Sequence, residues 1–264
     1  MTRWIGGLDG CRGAWAGVLL DLDDPTRHRA GRFPGVLEFL DTPEAPLRVG
    51  IDIPIGLDSH VTGGGRVADR AARARLRPGR ASVFPVPARA AVHAPTYEAA
   101  KALSRTSSTP PFAPSIQCWN ILSYVREVDA LLRARPDLAL RLHEVHPEVA
   151  FHRLNGDRTL AAGKKGPARQ AGLAERRTLL AAAGIPEGLI AARPTGVGAD
   201  DHLDALAGLV VARDLLEGRA VPLPDPPGRD DLGLPIVIWM PAAPVRPRME
   251  PPLAPDDFPA KAVR

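Results

Sequence analysis

Short, almost wholly apolar runs separated by turn residues occupy the first fifth of the chain, which is the pattern of strands in a buried sheet. The first run leads into the second across the turn at residues 10–13, and Pro54 and Gly56 close the last one. The predicted strands cover residues 4–9, 14–21, 29–33 and 48–53, with a short helix at 36–41. The predicted order is therefore strand, hairpin, strand, helix, strand.

The rest of the chain is mainly helical by periodicity. Residues 58–114 come first and combine a glycine run at 63–65, an Ala- and Arg-rich helical stretch and a Pro-interrupted loop, so we interpret them as an insertion after the fourth strand. Further helices are predicted at 116–133, 148–154, 173–184 and 201–216, and further strands at 141–145 and 236–240.

This order of elements predicts an α/β fold, with a mixed sheet flanked by helices. The chain has 264 residues, 45% of them apolar, which is enough for one large core, so we expect a single domain over residues 1–240. Residues 241–264 are Pro-rich and polar and are predicted to form an extended tail.

Composition narrows the functional classes only modestly. No apolar run is long enough to span a membrane, and the N-terminus enters a strand without a leader-like segment, so we expect a cytoplasmic protein with no membrane partner. Cys11 and Cys118 lie outside any close Cys/His spacing and are predicted to be free thiols. The net charge of +4 rests almost wholly on arginine, which favours nucleic acid only weakly.

Acidic residues in apolar surroundings are the main chemical signal. Asp9 ends the first strand, Asp52 lies in Ile51-Asp52-Ile53, and Asp201 and Asp204 lie in the last long helix. A buried carboxylate has to be paired, hydrogen-bonded or bound to a cation. Because neither strand-like segment has a Lys or Arg in its local context, we predict a shared site for a divalent metal, Mg²⁺ or Mn²⁺.

Simpler explanations exist for most of these carboxylates. Asp9, beside Gly10, is also suited to accepting hydrogen bonds in a turn, and Asp52 to a structural role. Asp200 is the natural N-cap of the last helix, and Asp201 favours the positive end of that helix. Asp204 lies beyond the first turn, so capping does not explain it.

The segment around residue 145 adds further candidates. Glu144, at the end of a predicted strand, is the candidate fifth ligand, and His146 lies on the same side by alternation. His146 is suited to orienting a ligand or carrying a proton, or to a structural hydrogen bond. Glu148, in the first turn of a helix, is explained equally by the helix dipole. We place His146, Glu148 and Asp200 next to the metal ligands rather than among them.

Basic residues supply candidate contacts to phosphate. Arg66, Arg70, Arg73 and Arg77 follow one another at spacings of four, three and four, which places them on one helical stripe. Such a stripe suits a phosphate backbone, and we take Arg70, Arg73 and Arg77, with the turn residues Lys164 and Lys165, as candidate substrate contacts. An ordinary solvated face explains the same pattern.

Five segments together carry a resemblance to a known family. They read Gly-Leu-Asp-Gly-Cys-Arg-Gly-Ala-Trp at 7–15, Ile-Asp-Ile-Pro-Ile-Gly-Leu at 51–57, Ser-Val-Phe-Pro-Val-Pro-Ala-Arg at 82–89, Glu-Val-His-Pro-Glu-Val at 144–149 and Asp-Asp-His-Leu-Asp-Ala-Leu-Ala at 200–207. In this order, over about residues 4–240, they resemble the DUF429 family, a group of predicted nucleases of ribonuclease H-like fold. The last segment is also similar to the closing motif of RuvC-type Holliday-junction resolvases.

The resemblance implies a specific site. In a ribonuclease H-like sheet the first and fourth strands end side by side, so Asp9 and Asp52 would meet at one edge, with Asp201 and Asp204 facing it. Two-metal phosphodiester hydrolysis needs carboxylates that hold two ions about 4 Å apart. We therefore expect Asp9, Asp52 and Asp201 as primary ligands, completed by Glu144 and Asp204.

The sequence thus predicts a metal-dependent nuclease or phosphodiesterase acting on nucleic acid or on a small phosphoester. An actin-like or sugar-kinase-like phosphotransferase is the main alternative, because such proteins also begin with Asp-Gly on a first strand; it would need a second Asp-Gly hairpin. A non-catalytic binding or scaffold protein is the third possibility, and it predicts neither bound metal nor dependence on the aspartates.

Overall fold

A mixed sheet of five strands flanked by helices forms the centre of the computed structural model, which describes residues 2–76 and 79–244. In chain order the strands are β1 (Trp4–Cys11), β2 (Ala14–Asp21), β3 (His28–Phe33), β4 (Arg48–Ile51), β5 (Val61–Thr62), β6 (Ser108–Thr109), β7 (Leu142–Glu144), β8 (Val221–Arg229) and β9 (Pro235–Met240). The helices are α1 (Val36–Leu40), α2 (Val67–Arg75), α3 (Arg89–Val92), α4 (Tyr97–Thr106), α5 (Ile116–Ala134), α6 (Pro147–Leu154), α7 (Arg169–Ala182), α8 (Glu187–Ala191) and α9 (Ala199–Leu216). The predicted α/β architecture is confirmed.

The strand order of the sheet is β3-β2-β1-β4-β7. Strands β1, β2 and β3 pair antiparallel, whereas β4 and β7 run parallel to β1. The register aligns Leu8 with Ile51 and Ile51 with Glu144. The Asp52 amide then donates to the Leu8 carbonyl at 3.0 Å, and the Val145 amide to the Ile51 carbonyl at 2.9 Å. The carboxyl ends of β1, β4 and β7 therefore come out together at one edge.

One face of the sheet is covered by α9, which packs on β1, β2 and β4. Glycines make the approach close: a Cβ on Gly7 would lie 1.9 Å from the Ala205 carbonyl oxygen, and one on Gly50 would lie 2.3 Å from that of Gly208. Strand residues two positions apart share a face. Asp9 and Asp52 follow Gly7 and Gly50 by two residues, so both point towards the beginning of α9.

The opposite face packs against α1 and α5 through a large apolar cluster. Leu8, Ile51 and Leu142 belong to that cluster, as the alternation of strand residues requires. Glu144 lies two residues after Leu142 and therefore points to this face, away from α9.

The segment between β4 and α5 stays outside the main sheet, as predicted for residues 58–114. It contains α2, α3, α4 and the small parallel ribbon of β5 and β6. Helix α2 packs on the antiparallel ribbon of β8 and β9, with Ala68 and Ala72 against Ile236 and Ile238. The insertion is thus attached to the body of the protein through an apolar contact.

Several element predictions need correction. Strand β8 and helix α8 were not predicted; β8 carries four prolines, which argue against a central strand but are tolerated in a two-stranded ribbon. Helix α9 begins at Ala199 with Gly198 at the N-cap, so Asp200 is not the capping residue. The last residues of the predicted tail, 245–264, lie outside the described part.

Two predictions made from composition can also be compared with the structure. Cys11 and Cys118 are free and buried, as expected. In the described part of the chain, no helix combines the length and apolar character needed to span a membrane.

Candidate active site

Asp9 and Asp52 meet at the edge of the sheet, side by side. Asp9 is buried and Asp52 is partly buried. Burial raises the pKa of each carboxyl well above its usual range. The carboxylates of Asp52 and Asp204 raise the pKa of Asp9 further, and Asp204 does the same to Asp52. A carboxylate that accepts hydrogen bonds has a lowered pKa, so the raised pKa of Asp9 does not favour its role as an acceptor in a turn.

The beginning of α9 brings two further carboxylates to this edge. Asp204 is buried; its Oδ2 contacts Lys164, whereas its Oδ1 has no hydrogen-bond partner among the described residues. Asp201 is partly exposed, and its Oδ2 accepts a hydrogen bond from the Gly198 amide at 3.2 Å. Burial, followed by Asp200, raises the pKa of Asp201. Asp9, Asp52, Asp201 and Asp204 are therefore brought together as predicted.

A lysine distant in sequence reaches this carboxylate cluster. Lys164 lies in the loop between α6 and α7 and places its ammonium on Asp204, with Glu148 Oε1 at 3.6 Å. Burial lowers the pKa of Lys164, but Asp204 and Glu148 outweigh burial, so the net shift is upwards. The local sequence around the aspartates, which has no Lys or Arg in either strand-like segment, gave no sign of this contact, because the lysine comes from a distant loop.

Glu144 lies beside the aspartates but is held by an arginine. Arg66 donates from Nη2 to Glu144 Oε1 at 2.7 Å and from Nη1 to Oε2 at 2.9 Å, and the Ile55 amide also donates to Oε2 at 2.7 Å. Arg66 is completely buried and pairs with Asp69 as well, at 2.7 Å. Burial raises the pKa of Glu144 despite the opposing effect of Arg66. Glu144 therefore neutralises Arg66 in this structure, and its service as a metal ligand stays a prediction.

The three residues expected next to the ligands have different partners. Glu148 accepts from Arg176 Nη2 at 2.8 and 2.9 Å; burial opposes ionisation, yet Lys164 and Arg176 lower the pKa of Glu148 overall. His146 contacts the Ser82 carbonyl oxygen through Nε2 at 3.2 Å, and burial lowers its pKa. Asp200 lies near Arg169, at 3.6 Å. Of the three, only Glu148 contacts a residue that touches the aspartates.

The arginine stripe is not a free basic face. Arg66 is buried, and Arg70 donates to the carbonyl oxygens of Thr62 and Gly65 at 2.5 and 2.6 Å. Arg73 donates to the Gly64 carbonyl, and burial lowers the pKa of Arg73. Arg66 therefore binds the buried acids, whereas Arg70 and Arg73 bind the glycine turn at 63–65, and contact of Arg70 and Arg73 with phosphate stays a prediction. Arg77 lies outside the described residues.

A cavity of about 180 Å³ opens beside the aspartates. Its walls are mainly apolar, with polar groups at the end formed by the strands. Tyr124 is a fixed wall, since its hydroxyl accepts from the Gly13 amide at 3.0 Å and its ring stacks edge-on against Trp15. The other lining residues include Asp9, Asp52, Ile53, Pro54, Phe84, Val86, Ile121 and His146.

Sequence reasoning missed two ion pairs beside the candidate site. Arg176, which holds Glu148, has no signal in its local sequence, because its partner lies on another helix. The Arg66–Asp69 pair could have been found, since charges three residues apart on a helix are neighbours. Among the described residues, no group of three or more His, Cys, Asp or Glu side chains is already arranged to hold a metal ion.

Comparison with known proteins identifies the family. Neither the curated proteins nor the solved structures contain a match to the chain. Residues 7–229 match the family described as "Protein of unknown function (DUF429)". This match covers most of the chain, including the second half of β1, the insertion and α9. The protein therefore belongs to the DUF429 family.

Proposed function

We propose that the protein is a metal-dependent nuclease or phosphodiesterase of ribonuclease H-like fold. Three antiparallel strands followed by two strands parallel to the first, in the order β3-β2-β1-β4-β7, support this fold. So does the position of the last long helix, which packs over β1 and β4 and carries acids to their ends. Function is argued from the site rather than from the fold.

One observation carries the proposal: the fold gathers Asp9, Asp52 and Asp204 at one edge, where Lys164 contacts Asp204. Like charges collected in a buried place are costly and persist in proteins mainly where they have a function. A purely structural set of acids would be paired, as Glu144 is with Arg66. Among the residues that the structure describes, Asp9 and Asp52 have no such partner.

The donor set fits Mg²⁺ or Mn²⁺. Carboxylate oxygens are the ligands that these hard cations prefer, and Oδ1 of Asp204 is buried and unpartnered among the described residues. Asp9, Asp52 and Asp204 would hold the ion, and Asp201 would support it from the start of α9. When bound, the metal supplies an activated water and stabilises the charge on the leaving oxygen. The chain itself supplies alignment and excludes water on the sheet side.

The size and the lining of the cavity indicate which kind of substrate it suits. About 180 Å³ with mainly apolar walls suits one planar ring, such as an unpaired base next to the bond to be cleaved. Arg70 and Arg73, by contrast, are engaged with backbone carbonyls, so the structure offers less support for contacts along a duplex backbone. We therefore favour single-stranded nucleic acid or a small phosphoester over an intact duplex.

The alternatives have less support. An actin-like phosphotransferase needs two such sheets around its nucleotide, and the residues that the structure describes form one five-stranded sheet of this kind. A scaffold has no use for Asp9 and Asp52 as unpaired, buried acids, since replacing either would stabilise it.

The test is metal binding together with cleavage. Wild type, Asp9→Asn and Asp52→Asn are titrated with Mn²⁺ and Mg²⁺ by calorimetry, and each is assayed on labelled single strands, duplexes, hybrids, junctions and a chromogenic phosphodiester. We expect wild type to bind metal and to cleave one of these substrates only with metal, and both variants to lose at least 100-fold of the activity, roughly the loss of one essential charge contact.

Asp41→Asn is the matched control, because Asp41 is an exposed carboxylate at the end of α1, near the start of β7 rather than its end. It should bind metal and cleave as wild type does. A wild-type protein that binds neither Mn²⁺ nor Mg²⁺, with or without nucleic acid, would sink the proposal and favour a scaffold.

A further inference from the structure

The acids and bases at the sheet edge can be matched one by one. Glu148 is paired with Arg176, which contacts both of its oxygens. Asp204 is paired with Lys164. Asp9 and Asp52 have no ion-pair partner within the described ranges, so the four acids outnumber the two bases by two, and the pKa of Asp9 and of Asp52 is raised although Lys164 acts to lower it. One divalent cation is the amount of charge that neutralises them.

Lys164 is built into this arrangement rather than resting on the surface. Its side chain is only 21% exposed, and it lies between Asp204 of α9 and Glu148 of α6. Glu148 is itself fixed by Arg176, whose guanidinium is almost wholly buried and also donates to the Gly172 carbonyl oxygen at 3.1 Å. Residues of α6 and α9 therefore contact the ammonium directly, and Arg176 of α7 holds Glu148 in place.

The neighbouring lysine shows the contrast. Lys165 is exposed, and within the described residues no carboxylate lies close enough to form an ion pair with it. The two lysines were predicted as equivalent phosphate contacts. The structure makes them different: Lys165 faces solvent, whereas Lys164 belongs to the carboxylate cluster.

We propose that Lys164 takes the place of a second metal ion, so that the site binds one divalent cation, held by Asp9, Asp52 and Oδ1 of Asp204. This inference rests on the proposed function and replaces its two-metal form. An ammonium is a compact charge with three donors, so it can neutralise an oxygen of the phosphate but cannot activate a water as a metal does. Its contribution is a fixed positive charge beside the reacting group.

The experiment counts metal ions in the full-length protein. Mn²⁺ is titrated into wild type, Lys164→Ala, Lys164→Arg and Lys165→Ala, with stoichiometry from calorimetry and with electron paramagnetic resonance to distinguish isolated from coupled Mn²⁺ pairs. We expect one isolated Mn²⁺ per chain in wild type, Lys164→Arg and Lys165→Ala. In Lys164→Ala the vacated acids should bind a second ion and give a coupled signal.

Two results would overturn the inference: two Mn²⁺ per wild-type chain, or one ion in Lys164→Ala at unchanged affinity. Both leave the metal-dependent function standing. Absence of any Mn²⁺ binding in wild type would contradict both the inference and the proposed function. Asp9→Asn is titrated in parallel, and in that case its titration is the same as that of wild type. Thermal unfolding of each variant shows that Lys164→Ala is folded when it is titrated.

Discussion

At the residue scale, Asp9 and Asp52 are held where ionisation is unfavourable. Burial is the main cause of the raised pKa of each, and the neighbouring carboxylates add to it. A carboxyl whose pKa is higher in the folded than in the unfolded state makes the fold less stable as the pH rises through the folded pKa. Both residues therefore lower the stability of the metal-free protein at neutral pH, as functional residues commonly do.

The direction in which stability changes with pH can be tested in the absence of substrate. Without metal at about pH 7.5, well above the ordinary pKa of an Asp carboxyl, we expect Asp9→Asn to be more stable than wild type by about 1–2 kcal/mol. The amide keeps the shape but not the charge. The advantage should shrink as the pH falls and the wild-type carboxyl takes up its proton. Urea unfolding at several pH values in a chelating buffer measures it.

Adding Mg²⁺ should reverse the order, because wild type gains binding energy that the variant cannot. If Asp9 instead had a structural role as a hydrogen-bond acceptor, Asp9→Asn would be the less stable protein at every pH and metal would not change the order.

At the element scale, the packing of α9 on β1 and β4 sets the site. Gly7 and Gly50 allow backbone contact between sheet and helix, which brings Asp201 and Asp204 to the strand ends. Most elements of this unit were predictable, since apolar runs and helical periodicity are local signals; β2 was predicted with its observed bounds. Strand β8 was not, because its prolines argue against a strand and its pairing with the predicted β9 is a tertiary contact.

The close contact between Gly7 and α9 can be tested by adding a single methyl group at residue 7. Gly7→Ala places a Cβ 1.9 Å from the Ala205 carbonyl oxygen and 2.6 Å from the Leu209 nitrogen, both backbone atoms that cannot rotate away. Helix α9 must shift, and we expect a loss of about 3 kcal/mol, the upper range for overpacking. Chemical denaturation measures the loss.

Gly10→Ala is the matched control in the same strand. Its Cβ would meet only the Tyr124 ring, at 3.6 Å, which is ordinary contact. A change of under about 1 kcal/mol is expected there. Equal losses in the two variants would show that strand propensity, not the approach of α9, requires glycine in β1.

At the scale of the whole molecule, the insertion is bound to the sheet by a buried ion-pair network. Arg66 at the start of α2 pairs with Glu144 of β7, and Arg89 of α3 pairs with Asp129 of α5 and Asp230 beyond β8 at 2.6 and 2.5 Å. These partners are far apart in sequence. The insertion therefore forms one wall of the cavity as a fixed part of the structure.

Breaking this network should be costly. Arg66→Met leaves Glu144 and Asp69 buried without their cation, and we expect a loss of about 3–5 kcal/mol. The loss should be smaller at low pH, because burial raises the pKa of Glu144 and its protonation removes a charge that has lost its partner. Urea unfolding at neutral and acidic pH measures both values. Adding Glu144→Gln and Asp69→Asn to Arg66→Met should recover much of the stability; no recovery would show that packing of the Arg66 side chain, not its charge, is what matters.

The sequence by itself determined the α/β class, most strands and helices, the family, and five candidate carboxylates, four of which gather at one edge. Local periodicity and turn chemistry encode these features, and acids in apolar runs stand out against them. The partners of those acids were decided only by the tertiary structure. Lys164 reaches Asp204, and Arg66 binds Glu144, across long stretches of chain. Electrostatic interactions depend on distance in space, and sequence separation carries no information about that distance.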